Sequence, residues 1–448
     1  MNNKFLNKIN LFFLFSILLL AGATQQALAA TRTVTKAADT NDAVCNADCS
    51  LREAVAAAQA GDEIKFQPAL AGSKITLLLD TISIGKSITI TGIDNLTISG
   101  GDKFRIFTIS GGANVTMKNL DLGHGYMDTR PQPWVGVGGA IAVYWSALSL
   151  DDCYIHNSKA STSGGAIWAY GSLISIKNSL IAANKAESGG GALSLNDSDV
   201  NISTTRFNLN YTPWNGGAMW LSDCHLVMTD TSIYKSSAKS GGALYLTEYN
   251  GGVYTIKDSA LHHNYAQNAG AIYNNANLKL INSTLSSNHA TAGSGGALSN
   301  NNQALLRNVT VSLNTATVDA GGIDSINGDV NLGNTIIAGN TSGNQFSPNL
   351  KGLFNSAGYN LVGPSFSATI LGTQTGNQLN VADPMLNPLT YNGSATLNHL
   401  PKAGSPVIDA GSDALAVDEF GFQLSTDQRG LSRFNGDAVD IGAVETSN

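Results

Sequence analysis

One phrase constrains this chain more than any other: Gly-Gly-Ala followed by an aliphatic residue, returning at a near-constant interval. It occurs at Gly138-Gly139-Ala140-Ile141, Gly164-Gly165-Ala166-Ile167, Gly190-Gly191-Ala192-Leu193, Gly216-Gly217-Ala218-Met219, Gly241-Gly242-Ala243-Leu244, Ala269-Gly270-Ala271-Ile272 and Gly295-Gly296-Ala297-Leu298, with a degenerate copy at Gly321-Gly322-Ile323. The first residues step by 26, 26, 26, 25, 28, 26 and 26. A fixed period of this length marks a stack of like units, each burying its apolar face only against its neighbours.

Two further columns keep the same register. One holds Asp or Asn, at Asp152, Asn178, Asp230, Asp258, Asn282, Asn308 and Asn334, with Thr204 in the remaining slot. The other is an apolar residue followed three positions later by Asn, as in Ile181/Asn184, Phe207/Asn210, Leu261/Asn264, Leu285/Asn288, Val311/Asn314 and Ile337/Asn340. Within each period the chain alternates with period two rather than 3.6: Ile174 and Ile176 share one face, Ser175 and Lys177 the other. Three short strands and three turns per repeat predict one coil of a parallel β-helix. Glycine supplies the turn conformations, Ala lets successive coils approach, and Asn at a fixed address reads as a ladder of amides bonded from coil to coil. The same Asn columns could be mistaken for a polar active site.

Weaker alternation from Ile64-Lys65-Phe66 to Val115-Thr116-Met117 extends the solenoid toward the N-terminus. Residues 64 to 345 then make roughly eleven coils and a rod of about 50 Å at ~4.8 Å per coil. Residues 123 to 137 interrupt the rhythm, since Asp152 follows Asn119 by 33 positions, and predict a loop protruding from one coil.

Composition narrows the partners. Charged residues are 13% of the chain and its net charge is −7, so no basic footprint for nucleic acid exists. Hydrophobic residues at 43% suffice for a core, and the 48 glycines lack the Gly-X-Y period of collagen.

The ends read differently. Lys4 and Lys8 precede an apolar run from Leu11 to Ala23, and Ala27-Leu28-Ala29 is a small-x-small cleavage site, so residues 1–29 read as a Sec-type signal peptide. The alternative, a retained membrane helix, needs a run of roughly 20 apolar residues. No later stretch is apolar enough to span a bilayer, so the mature chain is expected to be exported, acidic and without a transmembrane segment. Cys45 and Cys49 lie close enough in sequence to bridge in an oxidising compartment; metal binding by the pair is the alternative, and no second Cys/His pair sits at zinc spacing. Ser50-Leu51-Arg52-Glu53 is a capping box opening an Ala-rich helix to Gly61, with Leu51, Ala54, Val55 and Ala58 on one stripe, as expected of a lid on the first coil.

These phrases also carry resemblances. Cys49-Ser50-Leu51-Arg52-Glu53-Ala54-Val55 resembles the N-terminal motif of CSLREA exported proteins. The Gly-Gly-Ala-Ile phrases with Phe207-Asn208-Leu209-Asn210 resemble the repeats of polymorphic outer-membrane proteins, surface adhesins with a right-handed β-helix passenger. Asn387-Pro388-Leu389, Gly404-Ser405-Pro406-Val407-Ile408-Asp409-Ala410-Gly411, Asp427-Gln428-Arg429-Gly430 and Asp440-Ile441-Gly442-Ala443-Val444-Glu445 are similar to the choice-of-anchor Q domain of bacterial β-helix proteins. The resemblance implies an all-β, right-handed parallel β-helix, pectin-lyase-like, with a short N-terminal capping helix. The expected divisions are a leader over 1–29, a cap over 30–63, the β-helix over 64–345 and a C-terminal segment over 346–448. It implies an extracellular or bacterial cell-surface location and no agreed catalytic role. Only three residues follow the last motif, with no barrel or sorting tail, which favours release over anchoring.

For function the strongest pattern is aromatic. Just after the inward aliphatic of each Gly-Gly-Ala phrase, the outward position reads Ala142, Trp168, Ser194, Trp220, Tyr245, Tyr273, Ser299 and Ser325. Two residues further the same face carries Tyr144, Tyr170, Asn196, Ser222, Thr247, Asn275, Asn301 and Asn327. Tyr144, Trp168, Tyr170, Trp220, Tyr245 and Tyr273 would form a platform on which sugar rings stack while hydroxyls bond amides. The alternative is that aromatics merely favour strands or lie beneath a loop.

An enzyme is the competing class, because many parallel β-helices cleave acidic polysaccharides. Hydrolysis needs two carboxylates about 5 to 9.5 Å apart, and Asp151-Asp152 is the one tempting pair, with Asp151 outward and Asp152 in the turn column. A lyase needs a basic group, yet Lys177, Lys257 and Arg307 fall on separate coils, and His262-His263 alternate to opposite faces. The loop after Gly123 is where such a site would assemble, from His124, Tyr126, Asp128, Arg130 and Trp134 beside the Asp151 coil. The expectation is a non-catalytic, adhesin-like or carbohydrate-binding protein, monomeric and without cofactor or metal. A polysaccharide lyase or hydrolase using His124, Arg130 and Asp151 is the alternative.

Overall fold

The computed structural model describes residues 29–128 and 136–446. The leader, Arg130 and Trp134 therefore lie outside the described residues. Among the described residues the strand pairings between successive coils are parallel, and in register in the regular coils, as with Ile167–Tyr170 against Leu193–Asn196 and Leu173–Lys177 against Asp199–Ser203; Ile323–Gly333 against Leu350–Ser356 shifts register between Ser325 and Val330. The chain forms a right-handed parallel β-helix, the hand that parallel crossovers take. The 13-stranded sheet runs from Lys74–Thr76 to Gln378–Leu379, and its first eleven rungs, ending at Ile336–Ile337, fall inside residues 64–345.

A fourth short strand joins the expected three in most regular coils, and in the coil from Leu193 isolated bridges at Tyr211 take its place. In the coil from Ile167 the four are Ile167–Tyr170, Leu173–Lys177, Leu180–Ala182 and the two-residue Lys185–Ala186. Left-handed residues bracket the third strand. The expected Asp/Asn column supplies one of them, with Asp152, Asn178, Asp230 and Asn308 at φ 54, 52, 48 and 54, the conformation these side chains tolerate best. The second bend, at Asn157, Ala183, Leu209 and Leu313, uses no favoured residue type and so left no mark in the sequence. The glycine pair divides its work. Gly190 takes φ 60, whereas a Cβ on Gly191 would lie 2.2 Å from the Gly217 carbonyl oxygen of the next coil.

Inside, Ile174, Ile176, Ile181, Phe207, Leu261 and their equivalents are fully buried. The Asn column is the expected ladder: Asn264, Asn288 and Asn314 donate their amide N–H to Oδ1 of Asn288, Asn314 and Asn340 at 3.0, 2.9 and 2.9 Å. A Ser/Thr column runs beside it, with the Cys153 and Ser179 amides donating to Ser179 Oγ and Thr205 Oγ1 at 3.1 and 3.4 Å. Cys153 and Cys224 are buried and free, and burial pushes their thiols up to about 11 and about 12. Cys45 and Cys49 form the disulfide.

The helix spans Leu51–Ala57, shorter than the reach to Gly61, and Ser50 and Glu53 close the capping box in both directions. Its Leu51, Ala54 and Val55 are buried over the end of the rod. The 30–63 segment also contributes a strand, because Thr31–Val34 pairs with Glu63–Phe66.

The boundary at 345 moves as well. Parallel pairing continues through Leu350–Ser356, Leu361–Val362, Ala368–Gly372 and Gln378–Leu379. Only then does the chain turn back, crossing the outer face of the 13-stranded sheet from the Asp258 coil to the Asn334 coil. Thr396 Oγ1 donates to the Asp258 carbonyl at 3.2 Å, Thr284 Oγ1 to Gln428 Oε1 at 2.6 Å, and Asn334 Nδ2 to the Ser412 carbonyl at 2.8 Å. Motif residues knit this strap. Asp427 accepts the Arg429 and Glu445 amides at 2.8 and 2.9 Å, and the Asp409 amide donates to Asp440 at 2.8 Å. Fully buried Arg433 donates to Asn308 Oδ1 at 3.0 Å and to the Asp440 and Gly442 carbonyls at 2.8 Å.

The strap makes stability depend on pH. Burial raises the Glu445 carboxyl to about 8; burial and then the Asp230 charge raise Asp258 to about 7. The folded chain thus holds protons that the unfolded chain releases near pH 4 to 5. The stabilisation is present below that range and is lost as pH rises through about 7 to 8. Thermal midpoints are expected to fall from about pH 5 to about pH 9, and Glu445→Gln should flatten the profile. Below that window Asp62, held low by the Gln59 amide, works in the opposite direction.

Candidate functional site

The first strands of successive coils place one column of side chains every ~4.8 Å along the rod. Trp168, Ser194, Trp220, Tyr245 and Tyr273 are register partners, as are Tyr144, Tyr170, Asn196 and Ser222. Their inward neighbours Ile167, Leu193 and Met219 are fully buried, which fixes the outward parity of the aromatics.

Four of the six expected platform residues share one groove. Tyr144, Trp168, Tyr170 and Trp220 line a depression of about 630 Å³ with Val137, Thr162, Ser163, Ser194, Asn196 and Ser222. Among the described residues no charged side chain lines it. The Trp168 ring lies 4.9 Å from Tyr144 and 6.4 Å from Tyr170, nearly parallel to the latter at 11°. Trp220 folds back over Gly189, where a Cβ would come within 2.2 Å of its Cε3. Tyr245 and Tyr273 lie beyond the groove as a stacked pair, 5.0 Å apart and 8° from parallel. Ala142 is buried at the other end, where Arg105 donates to the Val137 and Gly138 carbonyls and to Thr108 Oγ1.

The last position of the stripe is corrected. The degenerate Gly-Gly-Ile copy lacks the Ala, so Ser299 pairs with Asp324 and Ser325 turns inward, fully buried. Sequence reading also missed Trp145, which is 60% exposed and meets Tyr170 edge-on at 4.9 Å. Its signal was a Trp in a turn column otherwise held by Gly171, Asp197 and Asp223.

The alternative site does not assemble among the described residues. His124 Nδ1 lies 3.1 Å from Asp102 Oδ2, not beside Asp151. Asp151 is paired with Lys177 at 3.1 Å and Asn178 Nδ2 at 3.0 Å, at the opposite end of the third strand. Tyr126–Met127, at the start of the insertion, pairs with Lys159–Ala160, and Val137, at its end, lines the aromatic groove. His156 Nε2 bonds Asp121 at 2.8 Å, and its ring meets His124 edge-on at 5.9 Å. Lys257 is taken by Glu419 of the strap at 3.5 Å. His262 and His263 do not alternate: His263 occupies the second bend at φ 54, and the two Nδ1 atoms lie 3.0 Å apart. Burial drives His262 down to about 3, and its ring stacks on Tyr234 at 5.0 Å.

No family profile matches the chain, and no curated protein matches it. Among solved structures it is similar to a pectate lyase, Pel9A, at 15% identity and TM-score 0.39, covering 94% of this chain and 97% of that one. It is similar to XylC in complex with xylose at 9% identity and TM-score 0.47, covering 93% and 99%. A mutant of the PL6 family alginate lyase AlyGC aligns at 13% identity and TM-score 0.41, over 93% of this chain and 59% of its own. These likenesses concern the path of the backbone. The class defined is that of parallel β-helix proteins.

Proposed function

We propose that this chain is an exported, non-catalytic carbohydrate-binding β-helix protein of the adhesin kind. The reading rests on one observation: four aromatic side chains on a rigid sheet line a groove edged by Ser, Thr and Asn, with no charged side chain among its described lining residues. Sugar rings stack on such faces, while hydroxyls and amides bond their substituents. Export is supported by the composition of the leader and by the Cys45–Cys49 disulfide. The CSLREA-like and choice-of-anchor Q-like motifs belong to the same reading, as the N-terminal cap and the C-terminal strap.

The second reading is a lyase or hydrolase of acidic polysaccharide. The Asp102–His124 pair is the observation in its favour, since a carboxylate at Nδ1 orients the partly exposed ring as it would a general base. Against it stand the separation of His124 from Asp151 and an acidic net charge, which steers polyuronates away.

A glycan array on the mature protein, run beside an assay on pectate, alginate and glycosaminoglycans, tests both. Binding without unsaturated product or new reducing ends is expected. Turnover that disappears in His124→Ala would replace the first reading with the second.

A further inference from the structure

The turn between the first and second strands is left-handed in successive coils, at Trp145, Gly171, Asp197 and Asp223, with φ 48, 57, 49 and 52. Glycine and aspartate reach that conformation at little cost; a bulky aromatic does not. Trp145 gains no core burial in exchange, since its ring is 60% exposed. The next coil is also shaped to receive it. A Cβ on Gly171 would stand 2.2 Å from Trp145 Cε3, so only glycine lets the indole lie flat across that turn. A strained, exposed aromatic with a prepared seat points to a role in recognition.

Its position supplies the role. Tyr170 lines the aromatic groove, and the Trp145 ring meets it at 4.9 Å and 85°. Trp145 then forms the wall of a second depression, of about 520 Å³, just around the corner. The ring surface thus runs from Trp168 through Tyr170 to Trp145 and turns by about a right angle. Asp197, Asp199 and Asp223 face this second depression against a single histidine, His225, 3.5 Å from Asp199, so an anionic chain entering it meets a majority of like charge.

Resting on the carbohydrate reading of the groove, we infer that Trp145 is a second stacking subsite, and that the ligand is an uncharged oligosaccharide long enough to bend from the groove over this corner. Beyond the length that fills the groove, binding strength should therefore depend on chain length through Trp145.

Calorimetric titration of the mature protein with xylo-, cello- and manno-oligosaccharides from disaccharide to hexasaccharide tests this. For the series that binds, affinity is expected to rise about tenfold with length, the contribution of one stacked ring. Trp145→Gly, which suits the left-handed turn and should keep the thermal midpoint, is expected to erase that rise while leaving the shortest binder unchanged. A variant that keeps the rise, or a wild type without one, overturns the subsite and leaves the groove reading intact. Tighter, Trp145-dependent binding of oligogalacturonates overturns the uncharged ligand. A wild type that binds no oligosaccharide of any length overturns the groove reading and this inference together.

Discussion

Replacing Trp168 and Trp220 together with Ala is expected to weaken glycan binding by at least about a hundredfold, because buried aromatic anchors carry most of the energy of such contacts. The two positions are separated by Ser194 in one column, so their Cα atoms sit two coils apart, about 10 Å at the strand spacing. Both side chains point outward from a core that Ile167 and Met219 complete without them. The thermal midpoint should therefore move by only a few degrees. Titration and melting curves on the same preparation separate the outcomes. A large fall in midpoint with binding retained would mean that the aromatics merely cover the sheet.

The second large effect concerns stability. Asn314→Leu should destabilise the chain by about 3 to 5 kcal/mol, since one buried amide serves several partners at once. Asn314 Oδ1 accepts the Asn288 amide N–H and Nδ2, both at 2.9 Å, and Asn314 Nδ2 donates to the Leu285 carbonyl and to Asn340 Oδ1, also at 2.9 Å. Leucine takes away the acceptor of the buried Asn288 amide N–H and removes one partner each from Asn288 Nδ2, the Leu285 carbonyl and Asn340 Oδ1. Asn301 is the control: it stands on the outer face and bonds Asn275 at 3.0 Å, and its replacement by Leu should cost well under about 1 kcal/mol. Denaturant midpoints measure the difference. Equal, small effects would mean that the inner Asn column is not a structural ladder.

The coils and the outward aromatics were legible in the sequence because the fold is periodic. A residue repeated every 26 positions must meet its own copy one coil away, so spacing alone assigned the Asn ladder and the buried partners of Trp168 and Trp220. Alternation then decided which side chains faced water. Where the period slips, that inference slips too: one missing Ala moved Asp324 into the place assigned to Ser325.

What lacks a period was decided by the tertiary structure. Nothing local tells Gln428 to meet Thr284, 144 positions earlier, or directs residues after Leu379 back across the 13-stranded sheet. The motif phrases of the strap marked it as a distinct segment without stating where it would lie. The neighbour of His124 is Asp102 rather than Asp151 because the third strand separates the two corners at which His124 and Asp151 lie. Trp145 became a candidate only when Gly171 of the next coil was found beneath its ring. The physical reason is common to these cases. Contacts within the repeat are fixed by translation along the rod, whereas contacts made by insertions and termini depend on which distant surfaces remain open once the coils have stacked.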